Sequence, residues 1–233
     1  MKTRVLFICF VFGIALCPAS AGTLTGTIRA EGKPGTEPDA QTGGGNASRK
    51  YKFAERVDYS ELRDFVVYLD GPLGGKPVPP PGLLTIDTRR ITQKGAEFKP
   101  HVLPVLVGTT VEWPNNDEIY HNVFSMSEAK QFDLDLYKGN PPNKRVTFDK
   151  PGRVDVFCSI HASMHCVVLV LENPYFAVTD ARGQYAITNV PPGTYQLKAW
   201  HERLPVQTRQ ITVTETGEVK TDFVLGITNL PKY

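Results

Sequence analysis

Punctuation constrains this chain more than any other feature. Short runs rich in Val, Thr, Ile, Phe and Tyr, none needing more than about eight or nine residues, are cut repeatedly by glycine and proline, of which the sequence holds 20 and 19. Proline and glycine both disfavour helix interiors, whereas β-branched and aromatic residues fit a pleated, half-buried surface. The rhythm therefore predicts an all-β protein of the sandwich type. Strands are expected at Thr23–Ala30, Phe65–Leu69, Leu83–Ile91, Val102–Val107, Thr109–Trp113, Arg145–Phe148, Arg153–Cys158 and His165–Leu171. Further strands are expected at Phe176–Thr179, Gln184–Ile187, Tyr195–Trp200, Gln207–Val213 and Val219–Val224.

Two stretches break the rhythm. From Gly32 to about Val57 the chain is polar and carries Gly43-Gly44-Gly45, Pro34 and Pro38, which reads as a loop excursion followed by a short helix near Tyr59–Arg63. Asn46-Ala47-Ser48 within it is a glycosylation triplet of the kind that arises by chance. From Gly71 to Gly82, Pro72, Pro77, Pro79, Pro80 and Pro81 make a semi-rigid spacer, and a domain boundary is expected there.

Residues 1–21 have the form of a secretory signal. Lys2 and Arg4 are followed by an apolar run from Val5 to Leu16, and Ala19-Ser20-Ala21 offers a cleavage site. The run is shorter than the roughly 18–20 residues that span a bilayer, so no membrane span is expected. Leu16 before Cys17 does not suit lipidation. Export to the periplasm is expected, with secretion as the alternative. Removing Lys2 and Arg4 from 26 basic residues leaves 24 against 24 acidic ones, so no nucleic-acid footprint survives. The mature chain keeps Cys158 and Cys166, and in an oxidising compartment such a pair first suggests a disulfide.

A second pattern competes with that reading. Cys158-Ser159-Ile160-His161-Ala162-Ser163-Met164 is a compact loop able to turn a thiolate, an imidazole and a thioether toward one centre, with His121 supplying a second imidazole from elsewhere. Two His and one Cys with a weak axial Met form the ligand set of blue-copper sites. Structural zinc sites take Cys and His and have little use for a thioether. A binuclear copper centre would need another cysteine inside the loop, and c-type haem needs Cys-x-x-Cys-His. The expectation is one copper per chain, held by His121, Cys158, His161 and Met164.

With these residues in place, residues 84–172 resemble the cupredoxin family, and the two-residue gaps on either side of His161 are most similar to the amicyanin type. The resemblance extends through Phe98-Lys99-Pro100, Val107-Gly108-Thr109-Thr110-Val111-Glu112-Trp113, His121-Asn122-Val123, Phe148-Asp149-Lys150-Pro151-Gly152 and Val156-Phe157-Cys158. It implies a Greek-key β-sandwich. It also implies that Asn122 donates a hydrogen bond near the Cys158 thiolate and ties the two ligand loops together. Ala162 stands where relatives often place proline, and His165 and Cys166 have no place in the pattern. Strand alternation puts these two on opposite faces, with Cys166 buried and His165 exposed. A Cys158–Cys166 disulfide stays open as the alternative, because the two flanking strands would be hairpin neighbours. Trp113 is expected in the core, Asp117 and Glu118 in a solvated turn, His101 at a surface or edge and His201 in a structural role.

The turns Thr179-Asp180-Ala181-Arg182-Gly183-Gln184-Tyr185 and Val190-Pro191-Pro192-Gly193-Thr194-Tyr195 are similar to those of the carboxypeptidase regulatory-like domain, a small transthyretin-like or carbohydrate-binding-like β-sandwich. The expected organisation is a signal at 1–21, strands and a loop at 22–72, a linker at 73–83, the cupredoxin at 84–172 and the second sandwich at 173–233. Residues 22–72 and 173–226 form one sandwich interrupted by the copper domain, or else two domains run in series. The functional expectation is a one-electron carrier, not an enzyme, whose partner is a redox protein such as a periplasmic cytochrome or dehydrogenase. A copper chaperone or storage module is one alternative. The other is a structural protein whose C-terminal sandwich binds a glycan or another protein. Multicopper enzymes need further histidine-rich motifs, and the chain has five histidines.

Overall fold

The structure is a computed structural model describing residues 21–32, 58–73 and 89–226. The signal, most of the Gly32–Val57 excursion, the body of the 73–83 linker and residues 83–88 of the expected Leu83–Ile91 strand lie outside the described residues. Seventeen strands follow in order: β1 Gly22–Ala30, β2 Val66–Leu69, β3 Thr92–Gln93, β4 Phe98–Lys99, β5 Val102–Leu106, β6 Thr109–Glu112, β7 His121–Ser127, β8 Lys130–Tyr137, β9 Arg145–Phe148, β10 Gly152–Phe157, β11 His165–Leu171, β12 Phe176–Val178, β13 Gln184–Val190, β14 Gly193–His201, β15 Leu204–Val213, β16 Glu218–Lys220 and β17 Phe223–Leu225. The expected helix near Tyr59–Arg63 is a single 3-10 turn, Tyr59–Glu61, capped by the Asp58 carboxylate accepting from the Ser60 N–H. No helix among the described residues is long and apolar enough to cross a membrane.

The hairpin of β7 and β8 is missing from the expected strands, although Phe132 and Leu134 alternate with Gln131, Asp133 and Asp135 in a manner that signals one. Asp135 has a positive φ of 54°, which shifts the alternation so that Leu136 is exposed and Tyr137 buried. That break obscures the period. Two smaller corrections concern the C-terminal strands. Val219–Val224 is two strands divided at Thr221-Asp222, and β15 has ten residues because it pairs with β14 along nearly its whole length.

β5, β11, β10, β7 and β8 form a five-stranded sheet in that order, with β5 parallel to β11 and the other neighbours antiparallel. β6 pairs with β9. Val111, Trp113, Val123, Val146, Phe148, Val154, Val156, Cys166, Val168 and Val170 fill one core between these strands. A second core, with Leu24, Ile28, Val67, Leu69, Ile187, Leu197 and Phe223, lies between β1, β13, β16 and β17 on one side and β12, β2, β14 and β15 on the other.

β11 belongs to both bodies. Cys166, Val168 and Val170 point into the first core, while Val167, Leu169 and Leu171 pack with Val102, Val66, Phe176 and Trp200 in a third cluster that joins the two sandwiches. A strand covered on both faces must be apolar without alternation, and Cys-Val-Val-Leu-Val-Leu, after the partly exposed His165, satisfies that requirement.

β1 runs parallel to β16 and β17 and antiparallel to β13. Gly26 makes this possible, since a Cβ there would collide with the Thr221 carbonyl. That carbonyl accepts from the Tyr185 hydroxyl at 2.6 Å, and the Thr221 N–H donates to Thr25 O at 2.8 Å, so it has little freedom to yield. Gly26→Ala is expected to lower stability by about 1–3 kcal/mol, read as a lower denaturation midpoint at unchanged slope. An unchanged midpoint would mean that β1 does not pack closely against the C-terminal strands.

Candidate metal centre

β10 and β11 pair with Val156 opposite Cys166 and Phe157 opposite His165, so residues 158–164 close the hairpin. Within it the Cys158 N–H donates to Met164 O at 3.3 Å and the Met164 N–H to His161 O at 3.0 Å. These bonds fold the loop back on itself and turn Cys158 and His161 the same way. His121, the first residue of β7, meets them from the next strand of the sheet.

The structure brings together three atoms able to ligate a metal. His121 Nδ1 and His161 Nδ1 are 3.0 Å apart, and Cys158 Sγ is 3.6 Å from His161 Nδ1. His121 is fully buried, Cys158 nearly so and His161 partly exposed. Met164 is fully buried in the core cluster that also contains Cys158.

The surroundings fix the direction of these atoms. His121 Nε2 lies 2.8 Å from Asp117 Oδ2. That carboxylate is held down at about 2, first by the Ala96 N–H, then by the Gly95 N–H and His121. An ionised carboxylate only accepts, so Nε2 carries the hydrogen and the Nδ1 lone pair faces His161 and Cys158. The Asn122 N–H donates to Cys158 Sγ at 3.5 Å, and Asn122 Oδ1 accepts from the Ser159 N–H at 3.3 Å. The Asn122 amide donates in turn to Asp133 at 2.6 Å. Asn122 thus links the β7 strand to the Cys158 loop. Two imidazole nitrogens and a thiol sulfur converging on one point, with a thioether at the loop's end, form a donor set that fits copper in either oxidation state.

Asp117 is a correction to the reading of residues 117–118 as a solvated turn. Its carboxylate joins the β3–β4 turn to a candidate ligand. Glu118 is solvent-exposed, as expected, and pairs with Lys138. The turn is fixed by Asn115, whose side chain accepts from the Asp117 N–H and donates to the carbonyls of Ile119 and Tyr137, each at 2.9 Å. An Asn-x-Asp turn four residues ahead of a histidine was the available signal.

Cys158 and Cys166, the cysteines among the described residues, are both free. Cys166 faces Val156 across the hairpin, and burial pushes its thiol well up, as for an inert core residue. The disulfide alternative fails because Cys158 opposes Met164, not Cys166. His165 is not simply exposed either. It is only partly so, stacks on Phe157 and meets Asp155 at 3.0 Å. His201 is buried, accepts from the Arg203 N–H and packs beside Phe65.

Residues 87–171 match the family described as copper binding proteins of the plastocyanin/azurin type. Over this segment the chain is similar to the cupredoxins. Residues 166–226 match the carboxypeptidase regulatory-like domain. Among solved structures, the chain is similar to a reduced variant of amicyanin, at 23% identity over 35% of this chain and 79% of that one, with a TM-score of 0.31. A purple cupredoxin from Nitrosopumilus maritimus is 26% identical over 35% of this chain and 97% of that one, with a TM-score of 0.30. A copper-containing nitrite reductase from Thermus scotoductus is 24% identical over 51% of this chain but only 27% of that one, with a TM-score of 0.34. A comparison with the curated proteins returned no match.

Asp117→Ala is expected to weaken metal affinity about 10–100-fold, measured by competition with a chelator of known affinity. Unchanged affinity would mean that the carboxylate does not orient His121.

Proposed function

We propose that the chain is an exported, periplasmic one-electron carrier in which a single copper is held by His121, Cys158, His161 and Met164. The observation that supports it is the convergence of the two Nδ1 atoms and Cys158 Sγ, with His121 and Asn122 each fixed by a further partner. Copper bound there would supply a Cu(I)/Cu(II) couple. The chain's own part is to keep the site dry and rigid on the His121 side and reachable on the His161 side. Buried Trp113, Val123, Val156 and Met164 do the former.

Partly exposed His161 does the latter, among neighbours suited to docking. Ile160 beside it is 52% exposed, and Ile119 and Tyr120, just ahead of His121, are 50% and 60% exposed. Apolar side chains around a partly exposed imidazole suit brief contact with a redox protein such as a cytochrome or a dehydrogenase. Residues 22–72 and 173–226 serve as one supporting sandwich that the copper segment interrupts. In support, β1 and β2 pair among the described residues with β12, β13, β14, β16 and β17, all C-terminal to that segment.

Potentiometric titration of the copper-loaded chain is expected to show one reversible one-electron step. Ile160→Glu should slow electron exchange with a c-type cytochrome while leaving the potential in place. Copper(I) that resists oxidation and passes intact to an acceptor would replace this reading with storage or delivery.

A further inference from the structure

We infer that His101, His165 and Glu202 form a second metal site, for a divalent cation of the zinc type, where the two sandwiches meet. The three residues come from separate places: His101 just before β5, His165 at the start of β11 and Glu202 in the turn between β14 and β15. Each offers one ligand atom, and these atoms all lie within 4.8 Å of one another. His101 Nε2 is 2.9 Å from Glu202 Oε1 and His165 Nδ1 is 3.8 Å from Glu202 Oε2, while the two rings meet edge to face at 5.5 Å.

An ion pair would need only one histidine here. The second is turned to the same carboxylate at a distance too long for a hydrogen bond, and it is held in that pose from behind. His165 Nε2 lies 3.0 Å from Asp155 Oδ1, and Asp155 is itself gripped by Arg153 through contacts of 2.7 and 2.9 Å. Phe157 stacks on the His165 ring at 4.8 Å. A carboxylate on the far nitrogen of an imidazole leaves the near nitrogen's lone pair directed at the cluster, as behind metal-bound histidines.

Two imidazoles and one carboxylate, with no thiolate or thioether, suit zinc(II) and leave room for solvent ligands. The nearby Cys166 thiol points away, into the first core. The open side is a cavity bordered by Glu97, Lys99, Ser163 and Arg203, which gives a cation a route from solvent. A cation there would tether the C-terminal sandwich, through Glu202, to the two strands that begin beside the ligand loop. This site does not depend on the copper reading.

The test removes the first cluster from the full chain by Cys158→Ala with His121→Ala and titrates zinc(II) by calorimetry. One equivalent is expected to bind, and adding His101→Ala or Glu202→Gln should weaken it at least about tenfold. No saturable binding, or binding indifferent to both substitutions, overturns the site. The unsubstituted chain gives a second readout. The zinc-dependent rise in Tm should be smaller in Glu202→Gln than in the parent. A mere ion pair would lower Tm equally with and without zinc, and equal rises in the two proteins overturn the inference.

Discussion

The double-faced burial of β11 is the constraint on which the rest of the molecule depends. Its alternate side chains serve two bodies: Cys166, Val168 and Val170 complete the copper-side core, and Val167, Leu169 and Leu171 meet Val66, Phe176 and Trp200 of the other sandwich. A one-residue slip would exchange the two sets and place His165 against the core. Pairing with β10 on one side and β5 on the other fixes the register against that slip.

Because β11 is fixed, its first residues are fixed as well. Met164 ends the loop that starts at Cys158, so the hairpin register sets how that loop closes and where His161 lies. The β7 strand then needs to deliver only His121 and Asn122, and the Asp117 turn and the Asn122 amide hold both. The same strand start presents His165 outward, where His101 and Glu202 await it. Two clusters of donor atoms of different softness thus lie at one end of one strand, on opposite sides of it.

Much of this was legible in the sequence for identifiable physical reasons. Cys158, His161 and Met164 are close in sequence, so local spacing was enough to single them out as candidates, and the turn chemistry at Asp180–Gly183 and Pro191–Gly193 marked the second sandwich. His165–Leu171 was readable as a strand because it is apolar throughout after its first residue. The β7–β8 hairpin was not recognised, since the positive φ at Asp135 breaks its alternation. Asp117 was misread because two of its partners, Gly95 and Ala96, are 22 and 21 residues away, and only its place in an Asn-x-Asp turn ahead of His121 hinted at a further role. Glu202 was invisible for the same reason: its encounter with His101, 101 positions distant, arises only when the sandwiches pack.

The claim that everything else serves is a copper–thiolate bond at Cys158. The visible absorption spectrum of the purified chain with one equivalent of copper(II), repeated on Cys158→Ala, tests it most directly. The expected result is an intense blue band in the parent that is lost in the substituted protein. A colourless copper-bound parent, or colour that survives the loss of Cys158, would contradict it.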